Sequence, residues 1–359
     1  MSSRAPAALA VAIAVAVGLA PAAAEACAPA PPRGGFVDVA GEDAIIAYDP
    51  LHGREDFVRR ASFRTTVKDF GFLVPTPTKP ELAAAPDAIF DRLAEVIAPP
   101  VRRVTRFDDG LTLTSLSVAL RPGAKSAAPA VAAAVEVLEQ KRVAGLDAAV
   151  LAADDASALA AWLAEHGYDA RPALAKWLEP YVAKRWIVTA FKVAKAASDE
   201  DRGVSTEALR MTFTTDKPFF PYREPEDQRE NLPAAAKAET RTLRAYVLSP
   251  DRAVGALGNG AAWPGKVLYS EPARADVMGG LPFPLPPNAW LTAFEDTSSP
   301  RPGVDDLFFT ASADKSPVVP APIEDVEHLP IPIPIELAAA VGLVAGYAAL
   351  RRRRRRAAR

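Results

Sequence analysis

Along residues 36–120 the apolar positions fall in short runs and period-two alternations, the pattern of β-strands. AIIAY (44–48) is a continuous apolar run, and DFVRRASFRT (56–65) places Phe57, Ala61 and Phe63 on one face. FGFLV (70–74) reads as the most deeply buried strand of the chain. The period then changes. Asp87 caps a helix in which Phe90, Leu93 and Ile97 recur at helical spacing, and Pro99-Pro100 stops it. VTRF and LTLT flank Asp108-Asp109-Gly110, a hairpin turn signal, and a phase slip between Leu113 and Leu116 predicts a bulge.

Beyond an exposed stretch at Arg121 to Ala134, VEVLEQ (135–140) and LDAAVLA (146–152) read as two strands. Asp155 then caps a helix carrying Leu159, Trp162 and Leu163, closed by Gly167. A second helix starts at Pro172 and buries Leu174, Trp177, Leu178 and Tyr181. WIVTAFKV (186–193) and LRMTFTT (209–215) resume the sheet, and short strands return at LRAYVL (243–248), AWLTAF (289–294) and DLFFTA (306–311). Runs of strands with inserted helices predict an α+β fold with a mainly antiparallel sheet.

Composition changes this picture mainly at the two ends. Of 359 residues 35 are proline, about twice ordinary usage, which predicts long irregular connections and edge strands. Arg4 followed by ALAVAIAVAVGLA (8–20) and AEA (24–26) reads as a secretory signal peptide over 1–26. Cleavage after Ala26 would make Cys27 the first mature residue, and as the chain's one cysteine it forms no internal disulfide. LAAAVGLVAGYAAL (337–350) is uninterrupted and apolar, and Arg351 to Arg356 follow at once. With Ile331, Ile333 and Ile335 upstream it predicts a transmembrane helix over 335–350, bounded by Leu337 and Leu350, with a cytoplasmic tail over 351–359. Ala338, Gly342 and Gly346 recur at four-residue spacing, which suits a weak homodimer through that helix. Between them, Pro317, Pro320, Pro322, Pro330, Pro332 and Pro334 predict an extended polyproline stalk over 312–334.

The expected organisation is therefore a signal peptide (1–26), a strand-rich part (27–120), a loop (121–134), an α+β part (135–311), the stalk and the helix. The whole folded part would lie outside the cytoplasm, anchored to the cell membrane. Setting aside Arg4, Glu25 and seven tail arginines takes 42 basic and 44 acidic side chains to about 34 and about 43. A surface of that sign repels phosphate backbones, so nucleic acid is not an expected partner.

Chemistry is sparse. Asp69-Phe70-Gly71 spells a kinase's metal-binding triplet, but no glycine-rich loop, strand lysine or catalytic loop accompanies it. Ser312 to Lys315 matches an SxxK pattern without its partner motif, and three scattered histidines with one cysteine make no zinc site. Asp108-Asp109 and Asp305-Asp306 are candidate carboxylate-only calcium sites, and no cofactor is expected.

Five stretches together resemble a known family: AEACAP, DFGFLVPTPTKPEL, ALAAWLAEHGY, ALRMTFTTDKPFFPYR and DDLFFTAS, in this order. They are similar to the uncharacterised bacterial domain-of-unknown-function family 2330 across residues 22–315. The resemblance implies an exported envelope protein, often with a C-terminal membrane segment, and supplies no catalytic residues. Its members often carry a second early cysteine; Cys27 stands alone.

Two readings follow. The first is a membrane-anchored binding or assembly module of the envelope with a protein or glycan partner, presenting Phe219, Phe220, Tyr222 and Trp290 as surface aromatics. The second is an envelope hydrolase acting on polymer or lipid precursors. It needs a pocket gathering Asp49, His52 or Asp69 with Arg59, Arg60 or Arg64.

Overall fold

The computed structural model describes residues 28–30, 37–65, 67, 69–113, 140–168, 171–194, 204–230, 241–274, 278–286, 288–298, 301–333 and 335–357. The chain divides into two compact units, residues 1–96 with 136–318 and residues 97–135 with 319–359. The segment expected to be a signal peptide, with Ala26 and Cys27, the expected linker or loop over 121–134 and most of VEVLEQ lie outside the described residues.

The chain begins with β1 (Ala28–Ala30), β2 (Val37–Asp49), β3 (Arg54–Thr65), β4 (Asp69–Thr76), β5 (Glu81–Ala84) and α1 (Ala88–Ile97). β6 (Val101–Leu113) belongs to the second unit. The first unit continues through β7 (Gln140–Val143), β8 (Leu146–Leu151), α2 (Ala156–Glu165), α3 (Pro172–Ala183), β9 (Ile187–Ala194), β10 (Val204–Ser205), β11 (Leu209–Thr214), β12 (Phe219–Phe220) and α4 (Glu226–Glu230). It closes with β13 (Thr242–Ser249), β14 (Ala253–Leu257), β15 (Lys266–Pro272), β16 (Trp290–Asp296) and β17 (Leu307–Ala311).

These strands form a five-stranded sheet, β1-β4-β9-β8-β7, and a larger one, β15-β16-β13-β2-β3-β11-β5, with β10 also on β3. A third, three-stranded sheet is β12-β17-β14. Pairing within the first unit is antiparallel except for β13 with β2, so the α+β expectation with mainly antiparallel sheets holds.

The alternation of β4 explains the layering. Phe70, Phe72 and Val74 join the core shared with the larger sheet, where Phe72 stacks on Phe191 with ring centroids 5.0 Å apart. Leu73 points the other way, into a second core with Leu163, Trp177 and Tyr181 from α2 and α3. The five-stranded sheet is thus buried on both faces, which is why FGFLV is continuously apolar. Asp69 is merely the exposed first residue of β4. Gly71 is small because the Tyr168 ring lies against it. Among the described residues β1 pairs with β4 from Gly71 to Leu73, so no described strand lies opposite Pro75 on that edge.

Asp155 caps α2 as expected, accepting the Ala158 N–H at 2.7 Å. Asp87 does not cap α1 with its side chain in that way. Its carbonyl accepts the Phe90 N–H, while its carboxylate takes the Ala208 N–H at 2.8 Å.

Both α2 and α3 end in a Schellman motif. In α2 the left-handed residue is Gly167 (φ +81°), with Gly167 N–H bonded to Ala164 O and Tyr168 N–H to Leu163 O. In α3 the same place is held by Arg185 at φ +56°, with Trp186 N–H bonded to Tyr181 O at 2.9 Å. A side chain in this region costs roughly 1 kcal/mol that glycine avoids. Arg185→Gly is therefore expected to stabilise the protein by about 0.5–1 kcal/mol, read from urea unfolding midpoints at constant slope.

The second unit corrects two expectations. Asp108-Asp109-Gly110 makes no hairpin turn: β6 continues past them and pairs in parallel with β18 (Ile323–Ile333), with a register shift that leaves Asp109 and Gly110 out of the pairing. The proline-rich segment is accordingly a paired strand over 323–333 and not a free polyproline helix. Ile323 N–H bonds to Pro100 O, so odd-numbered residues of β18 address β6. Pro330 and Pro332 share the opposite parity, so the missing N–H groups fall on the outer edge and cost the ladder nothing. The ion pairs across the ribbon, Arg103 with Asp325 and Arg106 with Glu324, are solvent-exposed and contribute little.

The C-terminal segment is helical, α5 (Ile335–Ala357), and contains Leu337, Gly342, Gly346 and Leu350. No helix among the described residues is long and apolar enough to cross a membrane, so the expected transmembrane helix is corrected. The reason is length: about fourteen apolar residues span roughly 21 Å before six arginines continue the same helix.

Candidate functional site

The aromatics predicted to mark a surface patch are core residues. Phe219, Phe220 and Tyr222 are buried, and Trp290 is half-buried with its indole N–H donated to Ser270 Oγ at 2.7 Å. PFFPY turns inward because β12 pairs with β17, which places Phe219 edge-on to Phe213 and Phe220 edge-on to Phe57.

The residues required for a hydrolase are not gathered. His52 Nδ1 lies 2.5 Å from Asp49 Oδ2, but the imidazole is 74% exposed in the turn between β2 and β3. His52 holds the Asp49 carboxyl below the usual carboxylate range. Farther along the hairpin Arg59 is buried against Glu42 at 2.9 Å, Arg60 pairs with Asp43 at 3.1 Å, and Arg64 pairs with Asp38. Asp69 is in the other sheet. Each arginine serves a local carboxylate. Asp305 and Asp306 hold no calcium-like set either: among the described residues no group of three or more His, Cys, Asp or Glu side chains could hold a metal.

The structure instead brings together a groove of about 520 Å³ that no single stretch announces. This volume is within the usual range of small-ligand sites. The groove's aromatic surfaces are two half-buried rings, Trp186 immediately before β9 and Phe308 on β17. Thr78, Thr214 and Thr215 also line it, as do the exposed His52, Asp216 and Lys217.

Each wall has a local cause. The Schellman motif of α3 places Trp186 where its ring packs on Tyr181 (5.6 Å) and edge-on to Phe219 (5.2 Å). Lys184 Nζ sits 5.3 Å from the Trp186 ring centroid, a cation–π contact made from the solvent side. The 214–217 turn is clamped from beneath: Tyr48 donates its hydroxyl to Asp216 O at 2.9 Å, and Thr215 N–H reaches Gly53 O at 2.8 Å. Burial, with Asp216, Glu55 and Asp49 nearby, pushes the Tyr48 phenol up, so it stays a neutral donor. Under the same corner the Glu55 carboxyl is raised well above its usual range by burial, against a bond from Phe219 N–H at 2.9 Å.

Behind Phe308 lies a second buried carboxylate. Asp306 accepts the Tyr181 hydroxyl at 3.0 Å and the Arg223 N–H at 3.3 Å, while its Oδ2 has no hydrogen bond. Burial pushes Asp306 up to about 6 against those two bonds. Its folded value thus exceeds the unfolded one, so folding is favoured at low pH and loses stability as pH rises through about 6. Relative to wild type, Asp306→Asn is expected to gain about 2 kcal/mol between pH 4 and pH 8, read from urea unfolding at both pH values.

A smaller cavity of about 340 Å³ is lined by Asp43, Arg60, Ser62, Thr206, Thr242 and Arg244 among others. Its charges belong to a cross-strand ladder in which Lys266, Glu295, Arg244, Asp43 and Arg60 face one another in register. Arg60 bonds Asp43 and Asp91, and Arg244 bonds Glu295 at 2.5 Å. These charges satisfy one another, so the cavity is a by-product of sheet pairing.

Fold and groove define an α+β protein with stacked, mainly antiparallel sheets and a polar-aromatic cleft on one corner. A family described as "Uncharacterized protein conserved in bacteria (DUF2330)" matches residues 21–269, and the chain belongs to that family. No curated protein matches the chain. Among solved structures, the crystal structure of baculovirus P35 matches at 9% identity and a TM-score of 0.34, over 80% of this chain and 99% of that one. A similarity of that size carries no argument here.

Proposed function

We propose that the protein is an exported binding or assembly module of the bacterial cell envelope, with the Trp186–Phe308 groove as its binding site. The observation that carries this reading is the groove itself: two half-buried rings held by packed neighbours, with threonines between and exposed polar side chains at the rim. Such a surface recognises a ligand by shape and hydrogen bonding. Its acid–base pair, Asp49–His52, stands at the rim with the imidazole in solvent, which favours binding over hydrolysis.

The chain ends support the exported location in this reading. Residues 1–26 carry the features of a secretory signal, and mature protein would begin at Cys27. The apolar start of α5 is exposed at Val341, Leu343, Val344 and Tyr347, and six exposed arginines follow. That combination suits attachment to an anionic membrane face.

The test is pelleting of purified full-length protein with detergent-extracted bacterial envelope, from which lipid has been removed so that α5 contributes nothing. Wild type is expected to pellet saturably, and Phe308→Ser or Asp216→Ala to weaken pelleting about tenfold. Absence of pelleting, or equal pelleting of wild type and both variants, would remove the reading.

A further inference from the structure

We infer that the groove takes an uncharged oligosaccharide, an inference that rests on the binding reading above and names its ligand class. Three observations point to pyranose rings and away from peptide.

The first is the main chain. An extended peptide would be captured by free strand-edge N–H and C=O groups. Along the 214–217 wall of this groove several of those groups are occupied. Thr214 N–H is bonded to Thr78 Oγ1 at 2.9 Å, and Thr78 Oγ1 donates back to Thr214 O at 3.0 Å. Thr215 N–H is used by Gly53 O, and Lys217 N–H by Thr215 Oγ1 at 3.4 Å. Recognition is left to side chains and ring faces.

The second is the rings. Trp186 and Phe308 are half-buried, and the exposed Lys184 already lies over the Trp186 ring. Lys184 covers that face, so a ligand would meet the part of Trp186 that lines the groove, together with Phe308. Polarised C–H groups on one face of a sugar ring are weakly positive and meet an aromatic face for the same electrostatic reason a cation does.

The third is the rim. Asp216 supplies only acceptors and Lys217 only donors, adjacent in sequence and of cancelling charge, with His52 beside them. A strongly charged ligand would be repelled by one of the two. Hydroxyl groups, each both donor and acceptor, satisfy both.

The probes are chitotetraose and cellotetraose, with tetra-alanine and trilysine as peptide comparisons, titrated into the full-length chain by calorimetry. Saturable binding of at least one tetrasaccharide is expected, weakened about tenfold in Asp216→Ala and in Lys217→Ala. Both side chains are exposed, so these variants should fold even where Trp186→Ala, which loses its contacts to Tyr181 and Phe219, does not. If neither tetrasaccharide binds, or if both rim variants bind like wild type, the oligosaccharide assignment is overturned. Pelleting with extracted envelope then separates the two claims. Retained pelleting that the groove variants weaken leaves the binding site standing with another ligand, and loss of pelleting removes both.

Discussion

Asp296→Ala is expected to cost about 3–5 kcal/mol, a large share of the 5–15 kcal/mol typical of a folded domain. Asp296 ends β16, and four donors converge on its carboxylate: Tyr222 O–H at 2.7 Å, Trp263 Nε1–H at 3.2 Å, and Ser298 N–H and Oγ–H at 2.9 and 2.5 Å. Arg301 Nε lies 3.6 Å away with its side chain fully buried, and its guanidinium faces the Tyr222 ring at 5.4 Å. Burial alone would push the Asp296 carboxyl up, but Arg301 and the Ser298 and Tyr222 bonds outweigh it and hold the carboxyl below its usual range. Truncation leaves those donors and a buried cation without their acceptor, and the penalty is desolvation that nothing repays. The double variant Asp296→Ala/Arg301→Met should recover part of the loss. A cycle of urea unfolding free energies measures the coupling, and strictly additive values would refute the pairing.

The second large effect is expected at Gly71, the glycine of the DFG triplet. A Cβ there would stand 2.3 Å from Tyr168 Cδ1 and Cε1 and 3.1 Å from Phe191 O. Tyr168 is buried and follows the Schellman glycine of α2, so its ring has no free direction in which to retreat. Gly71→Val should therefore destabilise the protein by about 3 kcal/mol and Gly71→Ala by somewhat less, as overpacking in a close-packed core does. Tyr168→Ala in the Gly71→Val background should return part of that loss. Urea unfolding of the three variants reads this directly, and a neutral Gly71→Val would show that the close approach is absent.

Much of the fold was legible because its strands declare themselves locally. FGFLV is apolar throughout since both faces of β4 are covered, and LRMTFTT alternates because Leu209, Met211 and Phe213 face the core while Arg210 and Thr212 do not. Asp155 and Gly167 delimit α2 through their own backbone geometry. What local pattern could not give was pairing across long separations. β6 finds its partner more than two hundred residues later, so the turn signal at Asp108-Asp109-Gly110 ends as a register shift within a parallel pair and not as a hairpin. The prolines of β18 looked like a stalk because their shared parity, harmless on an outer edge, matters only once a partner is known. The helix over 335–357 was visible, but its apolar length was too generously extended into the isoleucines upstream.

The site was the least legible part. The Asp49–His52 pair was readable from its turn, since Asp49 also accepts the Leu51 N–H at 3.0 Å in a local loop. Trp186, Thr78, Asp216 and Phe308 come from four separate segments, and only tertiary packing unites them. One clue was hidden rather than absent. Arg185 adopts a left-handed conformation without the glycine that would have signalled it, and that turn aims Trp186. The aromatic run PFFPY misled in the opposite sense, since proline-flanked aromatics resemble an exposed patch until β17 covers them.

Hydrogen exchange of the full-length chain, with and without detergent-extracted envelope, tests the central claim most directly. Slower exchange is expected in segments 49–53, 76–79, 184–187, 214–218 and 307–309, which enclose the groove. Unchanged exchange there, or protection confined to segments 41–43, 60–62, 205–206 and 242–244 around the smaller cavity, would contradict it.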